Sequence, residues 1–453
     1  MRSLLLTILI FTLLPSAFLT PFVGVLLWSW VSFMSPHRLV WGVGDSLPWA
    51  LIVGSVGIGG WLLSERRRVP MDTTTVLLAI LAVLFTISTY FSLVPDVAWD
   101  KWQGIMKEFV FLFITAALVT NRVRAHALLW IMVISVGYYG IKGGVFTLVT
   151  GGAYRVWGPD LTAISDNNHL ATALVVVLPL MNYLGRQSKN DIIRIGSRLA
   201  MGFSILSVMA SYSRGAFVAL SAMIMWFWRH SKHKMVSGVL IAATLAFCVA
   251  FMPSEFIQRI GSIQDYQDDA SAEGRLAIWG AAYKIALARP LVGGGFYAPY
   301  RQEIIDQYAP GVQARAVHSI WMETLGENGF PALIVWTSLL LVGLNNCRTI
   351  IRRTKDIPEL RWANDMAHMG MVSLLGYAVG GSFLSLSYWD FYYTLLILFA
   401  AVRRIALAEL VVLGKTQPTL SERLAIGGGL SKHGNLVRPP VVPQPHMAMR
   451  PTK

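Results

Sequence analysis

The chain has 453 residues, of which 55% are hydrophobic and only 14% are charged, and its formal net charge is +14 at pH 7. An average soluble domain is about 25% charged, so the composition excludes a string of soluble domains and predicts an all-α integral membrane protein. The two cysteines, Cys248 and Cys347, lie far apart in apolar sequence and give no indication of a disulfide framework or a cysteine metal site.

The chain begins with an apolar stretch, residues 3–35, which Pro15 and Pro21 interrupt. A hydrocarbon core needs about 20 apolar residues per helix, so this stretch is too long for one straight span. It can form a single broken or partly re-entrant span, or two short spans. Residues 1–20 resemble a signal peptide, but they run into further apolar sequence without a clear cleavage site, so we expect them to be retained.

Apolar runs with the length of a membrane helix continue along most of the chain. They lie at residues 46–63, 74–94, 105–120, 125–148, 168–186, 198–212, 214–230, 236–253, 322–346, 366–386 and 390–407. The predicted organisation is therefore membrane helices at 1–253, one large loop at 254–317, further membrane helices at 318–412, and a tail at 413–453. The tail is rich in Gly, Pro, Lys and Arg, and we expect a disordered cytoplasmic extension.

Clusters of Lys and Arg between these runs indicate which loops face the cytoplasm. The alternating basic loops are ERRR at 65–68, NRVR at 121–124, the segment 186–198, WRHSKHK at 228–234 and CRTIIRRTK at 347–355. With a cytoplasmic N-terminus, parity requires residues 3–35 to cross once, which gives about 12 membrane helices with both termini in the cytoplasm. The positive charge is then a topology signal and not a nucleic-acid site.

The loop at 254–317 is the one predicted loop longer than about 50 residues, and it falls on the outer side of the membrane. Loops of this length are usually functional. Small and apolar side chains recur at helical spacing within 274–290, which predicts an amphipathic helix. Pro290 and the glycines at 293–295 are expected to end that helix.

Three basic residues fall on the same predicted outer face. Arg214 lies at a turn between two spans, Arg275 opens the loop helix, and His318 opens the next span. The rigid fork of an arginine suits phosphate, so we expect this face to bind a lipid diphosphate, with charge developing on the leaving group stabilised by the arginines. Histidine titrates near neutral pH and can accept a proton from an attacking hydroxyl.

The same loop carries three further arginines that are weaker candidates for substrate binding, namely Arg289, Arg301 and Arg315. Taken alone, an arginine at a membrane interface more often extends to a lipid headgroup than to a substrate. A single histidine at the start of a helix is likewise more often a capping or packing residue. The functional interpretation depends on the basic residues occurring together.

Two sets of acidic residues near these positions have other interpretations. Glu323 and Glu327 lie about 140° and 180° around a straight helix from His318, so we expect them to pair with another span and assign them no role. Asp265, Asp268 and Asp269 could ligate a metal, but no histidine neighbours them. A solvated acidic turn is the preferred interpretation of this cluster, so no metal site is predicted.

Three motifs together resemble the O-antigen ligase and polymerase superfamily. They are SYSRGA at 211–216, GRLAIWGAAYKIALARPLVGGGF at 274–296 and HSIWMETLGENGF at 318–330. The ligase pattern has an arginine in the loop helix, a bulky apolar residue four positions later, and then HS or HN, nine residues and a glycine. This chain has Arg275 and Trp279, and then His318-Ser319, nine residues and Gly329.

The chain departs from the ligase pattern at two positions. Trp279 stands where the pattern has leucine, and Ala332 stands where it has a second glycine. The resemblance implies about a dozen spans, one large periplasmic loop, and an active site on the periplasmic face of the bacterial inner membrane. The implied partners are an undecaprenyl diphosphate-linked glycan donor, a lipid A–core acceptor and membrane lipids, with no nucleic acid.

The implied reaction transfers O-antigen polysaccharide from undecaprenyl diphosphate to a hydroxyl of lipid A–core, with inversion of the anomeric carbon and without nucleotide, cofactor or metal. Carried over to this chain, His318 activates the acceptor, and Arg214 and Arg275 hold the diphosphate. Relatives in the superfamily transfer glycans to protein side chains or polymerise repeat units, and both remain alternatives.

A different class, a flippase or transporter of lipid-linked glycans, should show charges near the middle of its spans and matched repeats of broken helices. Neither is evident in the sequence. The polar groups cluster at the outer face, which favours an enzyme that works there.

Overall fold

The computed structural model describes residues 2–64, 68–230, 234–235, 238 and 270–415, and there is no strand among them. The all-α prediction is confirmed for this part of the chain. The α-helices are α1 Arg2–Leu19, α2 Pro21–Met34, α3 Val43–Ser46, α4 Trp49–Leu63, α5 Thr73–Tyr90, α6 Pro95–Leu118, α7 Arg122–Val149, α8 Asn167–Gln187, α9 Asp191–Met209, α10 Arg214–His230, α11 Ala270–Ala288, α12 Gln302–Tyr308, α13 Ile320–Thr354, α14 Arg361–Gly381 and α15 Asp390–Val412. Short 3-10 turns occupy Pro36–Leu39, Ala298–Tyr300 and Pro358–Leu360.

Several predicted features lie outside the described residues. They are most of the predicted span at 236–253, the first part of the large loop with Asp265, Asp268 and Asp269, and the tail from residue 416 onward. The predicted loop helix is observed as α11, which ends at Ala288, two residues before Pro290.

Six helices of the described part are long and apolar enough to cross a membrane, namely α1, α5, α7, α8, α9 and α13. Two shorter apolar helices, α2 and α4, accompany them. The chain is therefore a multi-pass membrane protein. The total of about 12 spans stays a prediction.

Residues 2–34 form two short antiparallel helices instead of one crossing. Pro21 begins α2 almost directly after α1, and proline at the first position of a helix favours such a start. The chain reverses there, so Gly24 of α2 packs against Ala17 of α1. Beyond α2 the chain returns to the start of α1, where the Gly44 N–H donates to Ser3 Oγ at 2.7 Å.

This hairpin corrects the expected position of the N-terminus. Helix α4 runs parallel to α1, because Ser3 contacts Gly44 before α4 while Phe18 contacts Gly60 near its end. The start of α1 therefore lies at the end of the bundle opposite the basic loop after α4. Helix α15 runs toward that basic loop. The start of α1 and the end of α15 therefore lie at opposite ends of the bundle. The prediction that both termini lie on the same side, which assumed a single crossing at 3–35, is wrong.

The most buried helix is α8, which packs against α7, α9 and α14. Helix α13 packs against α5, α11, α14 and α15, so it connects the loop helix to the bundle. We call the end at which α8, α10 and α13 begin the site end, and the opposite end, which carries the loops after α4 and α13, the basic end.

A polar network fixes α15 at the basic end. Arg404 forms an ion pair with Asp72, and both side chains are nearly buried. Arg403 donates to Asn346 of α13 at 3.0 Å. Charges inside a helical bundle need such partners, and these bonds hold α15 against α13 and the start of α5.

Candidate functional site

The loop helix is fastened to the backbone directly before His318. The indole Nε1 of Trp279 donates a hydrogen bond of 2.7 Å to the carbonyl oxygen of Val317. Arg275 lies one turn earlier on the same face of α11, because residues four apart are neighbours on a helix. The two motif positions of α11 thus have different tasks. Trp279 holds the helix against the segment, and Arg275 is carried to the neighbourhood of His318.

His318 sits in a left-handed backbone conformation just before α13. Its φ is +51°, a region in which histidine is enriched among non-glycine residues. Its N–H donates to Ser385 Oγ at 2.9 Å, and Ser319 caps α13. Such conformations persist where the surroundings fix them, and they cluster at functional sites. The backbone around His318 is therefore held from both sides.

The His318 ring is largely buried among basic groups. Its Nδ1 is buried and has no hydrogen-bond partner among the described residues. Burial and the positive charge of Arg275 lower the pKa of His318 to about 4, and His169 and Arg315 act in the same direction, while Asp166 opposes them. At pH 7 the imidazole is therefore neutral and able to accept a proton.

Arg315 joins this group from the extended segment before α13. Its guanidinium lies so close to Gly274 that a Cβ at that position would come within 1.9 Å of Nη1. A side chain at 274 would displace the guanidinium from this position. Arg275 and Arg315 are therefore both near His318, and two adjacent guanidinium groups suit the charge and geometry of a diphosphate.

Arg214 begins α10 at the same end of the bundle. Before it, Tyr212 has a φ of +57°, and the Ser211 carbonyl accepts a hydrogen bond of 2.6 Å from Asn167 Nδ2. Gly215 packs against Phe383, in the loop that also carries the Ser385 bound to His318. Arg214 is thus at the site end, next to the loop that holds His318.

Arg289 is not brought to His318. It lies 14 residues beyond Arg275, which corresponds to about 21 Å along a helix. Its Nε donates to the Gly293 carbonyl at 2.7 Å, and its Nη2 donates to the Phe91 carbonyl. These bonds close the turn after α11 and attach it to the end of α5, so the observed role of Arg289 is structural.

Arg301 is likewise engaged elsewhere. It forms an ion pair of 2.6 Å with Asp96 at the start of α6, and both side chains are more than a third exposed. Of the three weaker arginines, the structure brings only Arg315 to the group around His318. A substrate role for Arg289 or Arg301 stays a prediction.

The glycines after α11 pair with a break in α13. Gly329 has φ +77° and ψ −179°, which interrupts the helix. Gly294 N–H donates to Gly326 O at 2.8 Å, and Gly295 N–H donates to Glu327 O at 2.7 Å. A Cβ on Gly329 would lie 2.7 Å from the Pro290 carbonyl oxygen. The nine residues between Ser319 and Gly329 therefore set the distance from His318 to the place where the backbone of α13 bonds to the turn after α11.

The acidic residues of α13 are buried at this break. Glu323 accepts a hydrogen bond of 3.1 Å from the Ser387 N–H. Glu327 accepts from the Tyr297 N–H at 2.9 Å and from the Tyr388 hydroxyl at 2.6 Å. Their partners are thus the loop between α14 and α15 and the turn after α11. They join these segments, and neither bonds to His318.

A lysine from α6 completes this buried group. Lys101 Nζ lies 5.7 Å from the centroid of the Tyr297 ring and 5.6 Å from that of Tyr388, within cation–π range. It also acts electrostatically on Glu323 and Glu327. Lys101 therefore places a positive charge beside both acidic side chains.

The sequence analysis did not identify two residues near His318, namely His169 and Asp166. His169, in the first turn of α8, has its Nδ1 3.4 Å from Asp166 Oδ1, and its side chain is 14% exposed. Burial opposes ionisation of Asp166, but hydrogen bonds from His169 and Asn168 more than offset this and lower its pKa. The signal in the sequence was SDNNH at 165–169, a polar cluster at the outer start of a predicted span.

Two family models match separate parts of this chain. Residues 199–337 match the family described as O-Antigen ligase, and residues 1–189 match a family of unknown function, DUF5935. No curated protein gives a significant match. The first match confirms the resemblance to the O-antigen ligase superfamily. It spans Arg214, Arg275, Arg315 and His318, whereas Asp166 and His169 lie in the other match.

Proposed function

Because residues 199–337 carry an O-antigen ligase domain, we propose that this chain is a glycosyltransferase that moves O-antigen polysaccharide from undecaprenyl diphosphate to a hydroxyl of lipid A–core. The reaction takes place at the periplasmic face of the bacterial inner membrane. The observation that carries the proposal is a neutral, buried His318 whose pKa is lowered by burial and by Arg275, with Arg315 close by.

The reaction forms a bond between the acceptor oxygen and the anomeric carbon, and breaks the bond between that carbon and the diphosphate. Undecaprenyl diphosphate leaves with the bonding electrons. Arg275 and Arg315, with Arg214 from α10, offset the charge that develops on it, and preorganised donors of this kind are usually the largest contribution to catalysis. His318 accepts the hydroxyl proton, which makes the acceptor oxygen a better nucleophile.

The buried residues beneath the site keep this arrangement in place. The Glu327 bonds to Tyr297 and Tyr388 fix the break in α13, and the Trp279 bond to Val317 fixes α11. A site held by hydrogen bonds to several segments loses little energy to reorganisation when the transition state forms. The proposed mechanism assigns no step to a metal.

The test is transfer by the purified full-length protein from an undecaprenyl diphosphate-linked glycan. Lipid A–core, a peptide with Ser, Thr and Tyr, and a growing glycan chain are offered side by side, with and without EDTA. Transfer to lipid A–core, unchanged by EDTA, is expected. Transfer only to the peptide, or only to the growing glycan, would reassign the acceptor class within the superfamily. No transfer to any acceptor would contradict the glycosyltransferase proposal.

A further inference from the structure

Two imidazole rings lie near each other at the site end, and each has one buried nitrogen without a partner. The atoms are His318 Nδ1 and His169 Nε2, and neither has a hydrogen-bond partner among the described residues. Buried polar side-chain atoms are bonded in the large majority of cases. Two such atoms in one site call for an explanation.

The packing of α14 brings the two histidines to the same place. Gly380 and Gly381 are adjacent in α14, and a Cβ on Gly380 would lie 2.6 Å from Thr172, whereas one on Gly381 would lie 2.8 Å from Ile320. Thr172 is one turn after His169 in α8, and Ile320 is two residues after His318. The start of α8 therefore packs against Gly380 and the start of α13 packs against Gly381, its neighbour in the chain.

The electrostatics agree with this proximity. The charges of His169 and Asp166 both act on the pKa of His318. A base whose pKa lies near 4 holds a proton in about one molecule in a thousand at pH 7. His318 alone is therefore a weak final acceptor for the proton of an attacking hydroxyl.

The Asp166 carboxylate determines which nitrogen of His169 can accept a proton. Because the Nδ1 of His169 donates to Asp166, its Nε2 carries the lone pair. Protonation at Nε2 gives an imidazolium paired with a carboxylate, an arrangement that also orients and stabilises histidine in the Ser-His-Asp triad. Asp166 is itself fixed by two bonds from Asn168, at 2.8 Å and 2.9 Å.

We propose that His169, held by Asp166, receives the acceptor proton by way of His318, so that the two imidazoles form a proton relay. The inference rests on the proposed glycosyl transfer. As the acceptor oxygen bonds to the anomeric carbon, its proton passes to His318 Nε2. The proton on His318 Nδ1 passes to His169 Nε2 through one bridging water, since the two nitrogens are not hydrogen-bonded to each other. His169 then releases a proton to solvent, which reaches the partly exposed Asp166. His318 is left with its proton on Nε2, and it regains the first tautomer when Nε2 gives that proton to water and Nδ1 takes one back from the bridging water.

The start of α8 also contacts the turn before α10, which carries Arg214. Asn167 bonds the Ser211 carbonyl, three residues before Arg214. The charged groups that act on the relay come from every neighbouring element. They are Asp166 before α8, Arg275 of α11, Arg315 before α13, and Glu323 of α13, while Arg214 begins α10 at the same end of the bundle.

The test compares the pH dependence of kcat for transfer in four full-length proteins. These are the wild type, His169→Gln, Asp166→Asn and, as a control, His368→Gln, which changes an exposed histidine at the basic end. His169→Gln should lower kcat by about 10²-fold, in the range of general acid–base catalysis, with KM for the donor changed less than about twofold. Asp166→Asn should lower kcat by about tenfold or more with a similarly small change in KM, because His169 loses the carboxylate that accepts from its Nδ1 and fixes its tautomer. The control should match the wild type.

The outcomes separate the relay from the proposed function. If His169→Gln keeps the wild-type kcat and pH profile while His318→Ala is inactive, the relay is wrong and glycosyl transfer stands. If the wild type transfers to no acceptor, both fail. If His169→Gln is not monodisperse, the kcat of Asp166→Asn decides, and a value within about twofold of the wild type would overturn the relay.

Discussion

Trp279 in the loop helix donates its indole hydrogen bond to the carbonyl oxygen of Val317, at 2.7 Å, one residue before His318. This contact places the residue four positions after Arg275 against the segment that carries His318. It also explains how tryptophan serves at a position where the ligase pattern has leucine. The tryptophan adds a hydrogen bond to the packing, and that hydrogen bond fixes the position of Arg275 relative to His318.

Removing this bond while keeping an aromatic ring should weaken the site without unfolding the protein. Trp279→Phe leaves the Val317 carbonyl without its donor, at a cost of about 1 kcal/mol. We expect kcat for transfer to fall by about tenfold, because Arg275 and His318 lose their fixed separation. Steady-state kinetics of the two proteins checks this, and an unchanged kcat would show that Trp279 acts by packing alone.

Arginine geometry at the diphosphate should matter more than charge. Arg275→Lys and Arg214→Lys each replace a two-pronged donor with a point charge. Each should lose about 10- to 100-fold in kcat/KM for the donor, the equivalent of one or two charged hydrogen bonds. The matched control is Arg301→Lys, whose exposed ion pair with Asp96 contributes less than about 1 kcal/mol. Full activity in Arg275→Lys would argue strongly against diphosphate binding by the Arg275 guanidinium.

The buried, neutral His318 should make stability depend on pH. Its pKa is about 4 in the folded protein and about 6.5 when unfolded. The unfolded state thus binds the proton more readily, and stability from the neutral ring is present above pH 6.5 and is lost as the pH falls toward 4. The loss amounts to about 3 kcal/mol. The thermal midpoint should fall further between pH 7 and pH 4.5 in the wild type than in His318→Gln. Equal falls in the two proteins would show that the pKa of His318 is not lowered on folding.

The backbone break in α13 should tolerate no side chain. Gly329 has a positive φ, and a Cβ there would lie 2.7 Å from the Pro290 carbonyl. Gly329→Ala should therefore destabilise the protein by about 2 kcal/mol or more, visible as a lower thermal midpoint and a smaller monodisperse fraction. Gly104→Ala is the control, because no atom lies within 4 Å of that Cβ. Equal midpoints for the two variants would show that the break can adjust.

The sequence predicted most membrane helices to within a few residues, because a run of about 20 apolar residues is a strong local signal. It predicted the loop helix from the helical spacing of small and apolar residues, and the end of that helix from Pro290 and the glycines after it. It left open whether Pro21 bends a span or reverses the chain, and the parity argument favoured the wrong choice. That choice is decided by contacts such as that of Gly24 with Ala17, which no local pattern records.

The site was predicted in part. The motif placed Arg214, Arg275 and His318 at one end of the bundle, and the structure brings Arg275 to His318 together with Arg315. Spacing alone could not distinguish Arg315 from Arg289, whose guanidinium closes a turn. It also could not pair His169 with His318, because their proximity depends on how α8 and α13 meet α14.

The most direct test of the account is the rate of glycan transfer by purified His318→Ala beside the wild type, at saturating undecaprenyl diphosphate-linked donor and lipid A–core. The variant should remain monodisperse and bind the donor, because Arg275 and Arg315 are intact. Its kcat should fall by at least about 10²-fold, since the proton acceptor is gone. A kcat within about twofold of the wild type would contradict the central claim that His318 accepts the proton of the attacking hydroxyl.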